Sequence, residues 1–260
     1  MGHERVGALP RTKRWVTVVE GIAAAADVDG DVRELANATL RNVRSQLRAV
    51  PGDTGVIAAF QFLLGLALSA SAEVDTESLG DLAIDLSTNP SPLNLASALG
   101  QHVADKRQSG EYAELARKAA MDAIVQWTGR QTQQLSFTGE HEQAMDVWRR
   151  ASDGSGFCEV SRLFFAKFVE RYLNYFLGRA ASSHAGGTEA RERLATRLQE
   201  HVNGVSHHAF ETARITQSFA AGWFNRHARE GMPSAEEMAS FVAHSMGKLH
   251  EELLREEAPR

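Results

Sequence analysis

Apolar residues recur along almost the whole chain at a spacing near 3.6, and no segment alternates apolar and polar positions between hairpin turns. The pattern predicts an all-α fold, a multi-helix bundle of about ten helices. A first helix covers residues 12–26, and the Asp27-Val28-Asp29-Gly30 turn leads into a second over residues 31–49. In that second helix Val32, Ala36, Leu40, Val43, Leu47 and Val50 share one face, and Pro51-Gly52-Asp53 ends it. A third helix is expected over residues 54–71 and a fourth over residues 76–86, where Leu79, Leu82 and Leu86 oppose acidic positions. Asn89-Pro90-Ser91-Pro92 then breaks the chain.

Two further helices are read over residues 92–107 and 111–128, a polar loop over 129–139, and another helix over 140–151. Ser152-Asp153-Gly154-Ser155-Gly156 is the best hinge in the chain, so residues 1–151 and 157–260 form either two helical regions or one continuous domain. Residues 157–179 are the most aromatic, with Phe157, Phe164, Phe165, Phe168, Tyr172, Tyr175 and Phe176, and are expected to anchor the C-terminal packing. Helices follow over residues 189–202 and 205–229. Ser234-Ala235-Glu236-Glu237 is a capping box opening a last amphipathic helix, with Met238, Phe241, Val242, Ser245, Leu249 and Leu253 on its stripe.

Residues 54–72 hold no charged side chain, which raises a membrane question. Asp53 and Glu73 bracket the run without a Lys or Arg anchor, and Gln61, Ser69 and Ser71 interrupt it, so the reading is a central core helix and no membrane contact. Residues 1–15 are polar and lack a secretory apolar core, so the expected location is cytoplasmic. The single cysteine, Cys158, rules out an intramolecular disulfide framework and reads as a small buried residue. A formal charge of −5 argues against wholesale coating by nucleic acid.

Candidate chemistry is sparse. Asp27, Asp29 and Asp31 resemble the opening of a calcium loop, but Val32 stands where the loop needs glycine and Ala38 where it needs a bidentate Glu. His207, His208 and Glu211 share a helical face, yet neither an H-E-x-x-H nor a Glu-x-x-His pair occurs, so neither metal nor cofactor is expected. Ser155-Gly156-Phe157 precedes a helix but lacks the Lys-Ser or Lys-Thr of a phosphate-binding loop.

Charge is sorted by segment. No Lys or Arg occurs between Arg48 and Lys106, whereas Arg33, Arg41, Arg44 and Arg48 fall within an arc of about 80° on one helix face. Glu77, Asp81 and Asp85 form an equally narrow acidic counter-stripe on the fourth helix, and two opposite stripes invite pairing. Arg11, Lys13 and Arg14 would extend the basic face if the first helix packs alongside. Because interaction stripes are visible and no catalytic constellation is, the expected function is a non-catalytic helical adaptor or assembly subunit binding a protein partner or a second copy. The alternative is a nucleic-acid-associated accessory protein of a bacterial multi-gene system, with the arginines on phosphates. A third reading is an enzyme whose site assembles from distant residues.

Overall fold

The charge-free run becomes helix α1, Thr54–Ser69, and forms the centre of the packing. Asp53 starts it: Oδ1 accepts from the backbone N–H of Gly55 at 2.9 Å and of Val56 at 3.0 Å, two amides that no helical carbonyl can satisfy. Of its residues only Thr54, Ile57 and Gln61 are not buried, so the helix is enclosed on nearly every side. Among the described residues no helix is long and apolar enough to cross a membrane.

The computed structural model describes residues 50–105, 110–138, 144–184 and 217–255, together with helical positions 189, 192 and 196. A 3-10 segment, Val50–Gly52, precedes α1, and two more, Thr76–Leu82 and Leu86–Thr88, follow it. The remaining helices are α2 (Pro92–Asp105), α3 (Glu111–Thr138), α4 (Ala144–Arg149), α5 (Gly154–His184), α6 (Gln217–His227) and α7 (Ala235–Arg255). The described residues are therefore all-helical and include no strand. They do not reach the expected count of about ten helices.

Helices α2, α3, α4, α5 and α7 all touch α1, and α3 packs along α5. The approach of α3 is close at Gly55 against Ala113, and Ala116, Ala119, Ala120 and Ala123 keep much of the buried side of α3 small. On α5 the aromatic run meets α1 and the C-terminal helices at once. The Phe60 ring lies 5.4 Å from those of Phe164 and Phe165 and 5.3 Å from Phe241, while Phe157 lies 4.9 Å from Phe224 and 5.8 Å from Trp223. Trp127 of α3 donates its indole N–H to the Val147 carbonyl at 3.2 Å, which satisfies the buried donor and holds α4. One hydrophobic cluster runs from Val50 to Met246 and includes residues on both sides of 152–156.

Three segments differ from the sequence reading. Residues 76–86 are not α-helical, because Gly80 adopts φ 52°, ψ −126° and divides the segment into short turns. Of the expected loop at 129–139, residues 129–138 are instead the last part of α3, in which Gln131 is buried and accepts from the Arg150 guanidinium at 3.1 Å. At 154–156 the glycines begin α5 and serve close approach: a Cβ on Gly156 would stand 1.8 Å from the Arg150 carbonyl oxygen, and one on Gly154 would stand 3.0 Å from the Ala221 Cβ. Asp153 caps that turn, accepting from the N–H groups of Ser155 and Gly156 at 2.8 Å each.

Candidate interaction surface

The four arginines of the basic stripe, Arg33, Arg41, Arg44 and Arg48, lie outside the described residues, as do Asp27, Asp29, Asp31, His207, His208 and Glu211. The acidic side can be placed. After α1 the chain runs over the surface from Ser71 to Asn89, pinned where the buried Ser69 hydroxyl accepts the Ile84 N–H at 3.0 Å and where Val74, Leu79 and Leu86 turn inward. Between those inward residues Glu73, Asp75, Glu77, Asp81 and Asp85 are exposed, which makes this surface segment an acidic edge in sequence order.

These carboxylates do not share a helix face. Asp75 caps the first 3-10 turn through the Glu77 N–H at 3.0 Å, and Glu77 sits in that turn. Asp81 follows the positive-φ Gly80. Asp85 caps the next turn, accepting from the Ser87 N–H at 3.0 Å and the Ser87 hydroxyl at 2.5 Å, and those bonds hold its carboxyl below the usual carboxylate range. The counter-stripe of Glu77, Asp81 and Asp85 is thus an exposed acidic edge built from turns.

Sequence reading missed the cation that meets this edge. Arg229, beyond α6, donates two parallel bonds to Glu73, Nε to Oε2 at 2.6 Å and Nη2 to Oε1 at 3.0 Å. The pairing lowers the Glu73 pKa and raises that of Arg229. The two residues are 156 positions apart, and no local spacing could have signalled the contact.

The face shared by α3 and α5 is balanced by contrast. Arg171 reaches Asp122 at 2.6 Å, Arg130 reaches Glu159 at 3.1 Å, and Glu114 is held below its usual range mainly by the Arg117 bond, with Lys118 also close. Opposite charges there consume one another locally, whereas the 73–85 stretch carries carboxylates and no basic residue.

Nothing described assembles as a reactive centre. Cys158 is buried in α5 and burial pushes its thiol pKa up, away from thiolate chemistry. Tyr112 and Tyr172 stack with ring centroids 6.0 Å apart, and burial raises both pKa values, so both stay protonated phenols of the packing. His227 Nδ1 lies 2.7 Å from Glu237 Oε1 at the α6–α7 corner, and His244 packs on Phe219. Among the described residues no three His, Cys, Asp or Glu side chains converge as a metal site. No protein-family model, curated protein or solved structure matches this chain.

Proposed function

We propose that the protein is a non-catalytic helical adaptor or assembly subunit, joining a protein partner or a second copy of itself through charged surfaces. One such surface is the arginine face of residues 33–48, and the other is the acidic edge that includes Glu77, Asp81 and Asp85. The observation that supports this most is the contrast between surfaces: the α3–α5 face neutralises its own charges, while the 73–85 edge exposes carboxylates on turns fixed to the core. Long side chains of one sign gain most from a complementary surface, which steers association and sets register.

The test uses two charge reversals of the full chain, Arg41→Glu with Arg44→Glu, and Glu77→Lys with Asp81→Lys. Each is expected to weaken association in sedimentation velocity, and a mixture of the two reversed proteins to recover it if the surfaces meet between copies. Folding should be nearly unchanged, since exposed substitutions usually cost within about 0.5 kcal/mol. Labelled DNA and RNA are titrated alongside at low and moderate salt. Tight binding that falls steeply with salt and is abolished by the arginine reversal, with assembly unaltered, would replace this reading with phosphate recognition.

A further inference from the structure

Helix α1 leaves one row of its surface only half covered. Ile57, Gln61, Gly65 and Ser69 stand four residues apart and so form one ridge along the helix. The surface segment that follows α1 closes the second half of this ridge: a Cβ on Gly65 would stand 3.1 Å from the Leu82 carbonyl oxygen, and the Ser69 hydroxyl accepts the Ile84 N–H. Gly65 and Ser69 are accordingly buried, whereas Ile57 and Gln61, with Thr54 one turn before, keep part of their surface open. The gap lies at the end of α1 where the chain arrives.

The manner of arrival is fixed by a turn. The Asp53 N–H donates to the Val50 carbonyl at 3.0 Å, with Pro51 at the second position, where its ring presets φ. A helix joined to α1 by so short a connection runs antiparallel beside it. Val50 is fully buried in the central hydrophobic cluster, and upstream, outside the described residues, Leu47, Val43, Leu40, Ala36 and Val32 precede it on one face at helical spacing. We propose that residues 31–49 lie back along α1 and cover its open row, Leu47 meeting Ile57, Val43 meeting Gln61, and Leu40 reaching the partly buried Leu82 of the surface segment. The pairing follows from the turn, since nearly equal steps back from Val50 and forward from Asp53 bring these positions level. Reach is sufficient: at 1.5 Å per residue a helix over residues 31–49 is about 28 Å long against about 24 Å for α1. Arg33, Arg41, Arg44 and Arg48, about 100° round from the apolar stripe, stay at the rim of the contact.

The inference concerns what covers an observed face of α1 and does not require that the arginines bind a protein. Two double-cysteine variants of the full chain, Leu47→Cys with Ile57→Cys and Val43→Cys with Gln61→Cys, are treated with a short bis-maleimide at low protein concentration, buried Cys158 being retained. The control, Arg41→Cys with Gln61→Cys, has a similar tether but sets one thiol on the far side of the upstream helix. Crosslinking within the monomer several-fold faster than in the control, for at least one pair, is the expected result. Rates equal to the control in both pairs would overturn the proposal, as would products linked only between two chains, which would give the row to a second copy. A single variant adds an independent reading: Gln61→Cys should label with a small maleimide several-fold more slowly than Ala83→Cys, at an exposed position of the surface segment, and equal labelling would leave the row open and the proposal wrong. Charge reversal at the rim leaves all these rates unchanged, so this inference and the adaptor reading fail separately.

Discussion

Replacing glycine by alanine should act in opposite directions at two helical positions, and the difference measures how tightly α1 and α3 are pressed together. Within a helix glycine is about 0.5–1 kcal/mol less favourable than alanine, so the substitution stabilises wherever the methyl group has room. Gly129, in α3, is such a place, because a Cβ there meets nothing within 4 Å. At Gly55 in α1 the new Cβ would lie 2.3 Å from the Ala113 Cβ and 2.9 Å from its Cα. Carbon atoms in contact settle at about 3.5–4.0 Å, so the two helices must separate by roughly 1 Å or more. The opposing atoms are a Cβ and backbone rather than a flexible tip, which places the overpacking cost near the upper end of about 1–3 kcal/mol. Subtracting the propensity gain leaves a net loss of about 2 kcal/mol for Gly55→Ala against a gain of about 0.5–1 kcal/mol for Gly129→Ala. Urea unfolding with linear extrapolation reads both, as midpoint shifts at constant slope. Adding Ala113→Gly to Gly55→Ala should recover part of the loss, incompletely because the Ala113 Cα stays close. A Gly55→Ala protein as stable as the parent, or equal shifts at the two sites, would refute the close approach.

Leu64 is fully buried in α1, so Leu64→Asp should leave an unpaired interior charge costing several kcal/mol and abolish the cooperative unfolding transition monitored by circular dichroism. Ser234 Oγ accepts the Glu237 N–H at 3.3 Å while Glu237 Oε2 accepts the Ser234 N–H at 2.9 Å, and Ser234→Ala should cost about 0.5–2 kcal/mol in urea. Glu114 and Glu237 are held below the ordinary glutamate pKa, Glu114 mainly through its bond from Arg117 and Glu237 mainly through those from Ser234. Their stabilisation is complete above that value and is lost as pH falls through the folded pKa, so Glu114→Gln should flatten the acid limb of a melting-temperature profile and leave the neutral region little changed.

Legibility in the sequence followed the range of the interactions. Periodicity and the absence of charge predicted α1 to within two residues of its observed end, and the capping box at Ser234 marked the start of α7, because caps and burial stripes are local. Polar composition misled at 129–138: Gln131 looks like a loop residue until the Arg150 side chain that meets it is brought across from beyond α4. Nothing in the local sequence of the glycines at 154 and 156 announces that they begin a helix or that Ala221 and the Arg150 carbonyl crowd them. At 76–86 leucine spacing imitated a helix, whereas Gly80 takes a positive φ and Asp85 turns back on its own backbone.

The same contacts bear on the first part of the run without Lys or Arg that follows Arg48, from α1 to the turns after it. A helix enclosed by several others has no outward face for a long cation, which removes Lys and Arg from α1. The segment that follows must cross the surface in short turns, and each turn exposes backbone amides that a carboxylate satisfies. Asp53, Asp75 and Asp85 occupy such cap positions, so three of the six carboxylates from Asp53 to Asp85, and one of the three in the stripe, are architectural. Glu73 is committed to Arg229. Glu77 and Asp81 are exposed and are not the caps of these turns, which makes them the positions where charge reversal separates recognition from folding. A reversal there that altered association without moving the unfolding midpoint would assign these carboxylates to a partner, whereas a loss of stability would return them to the fold.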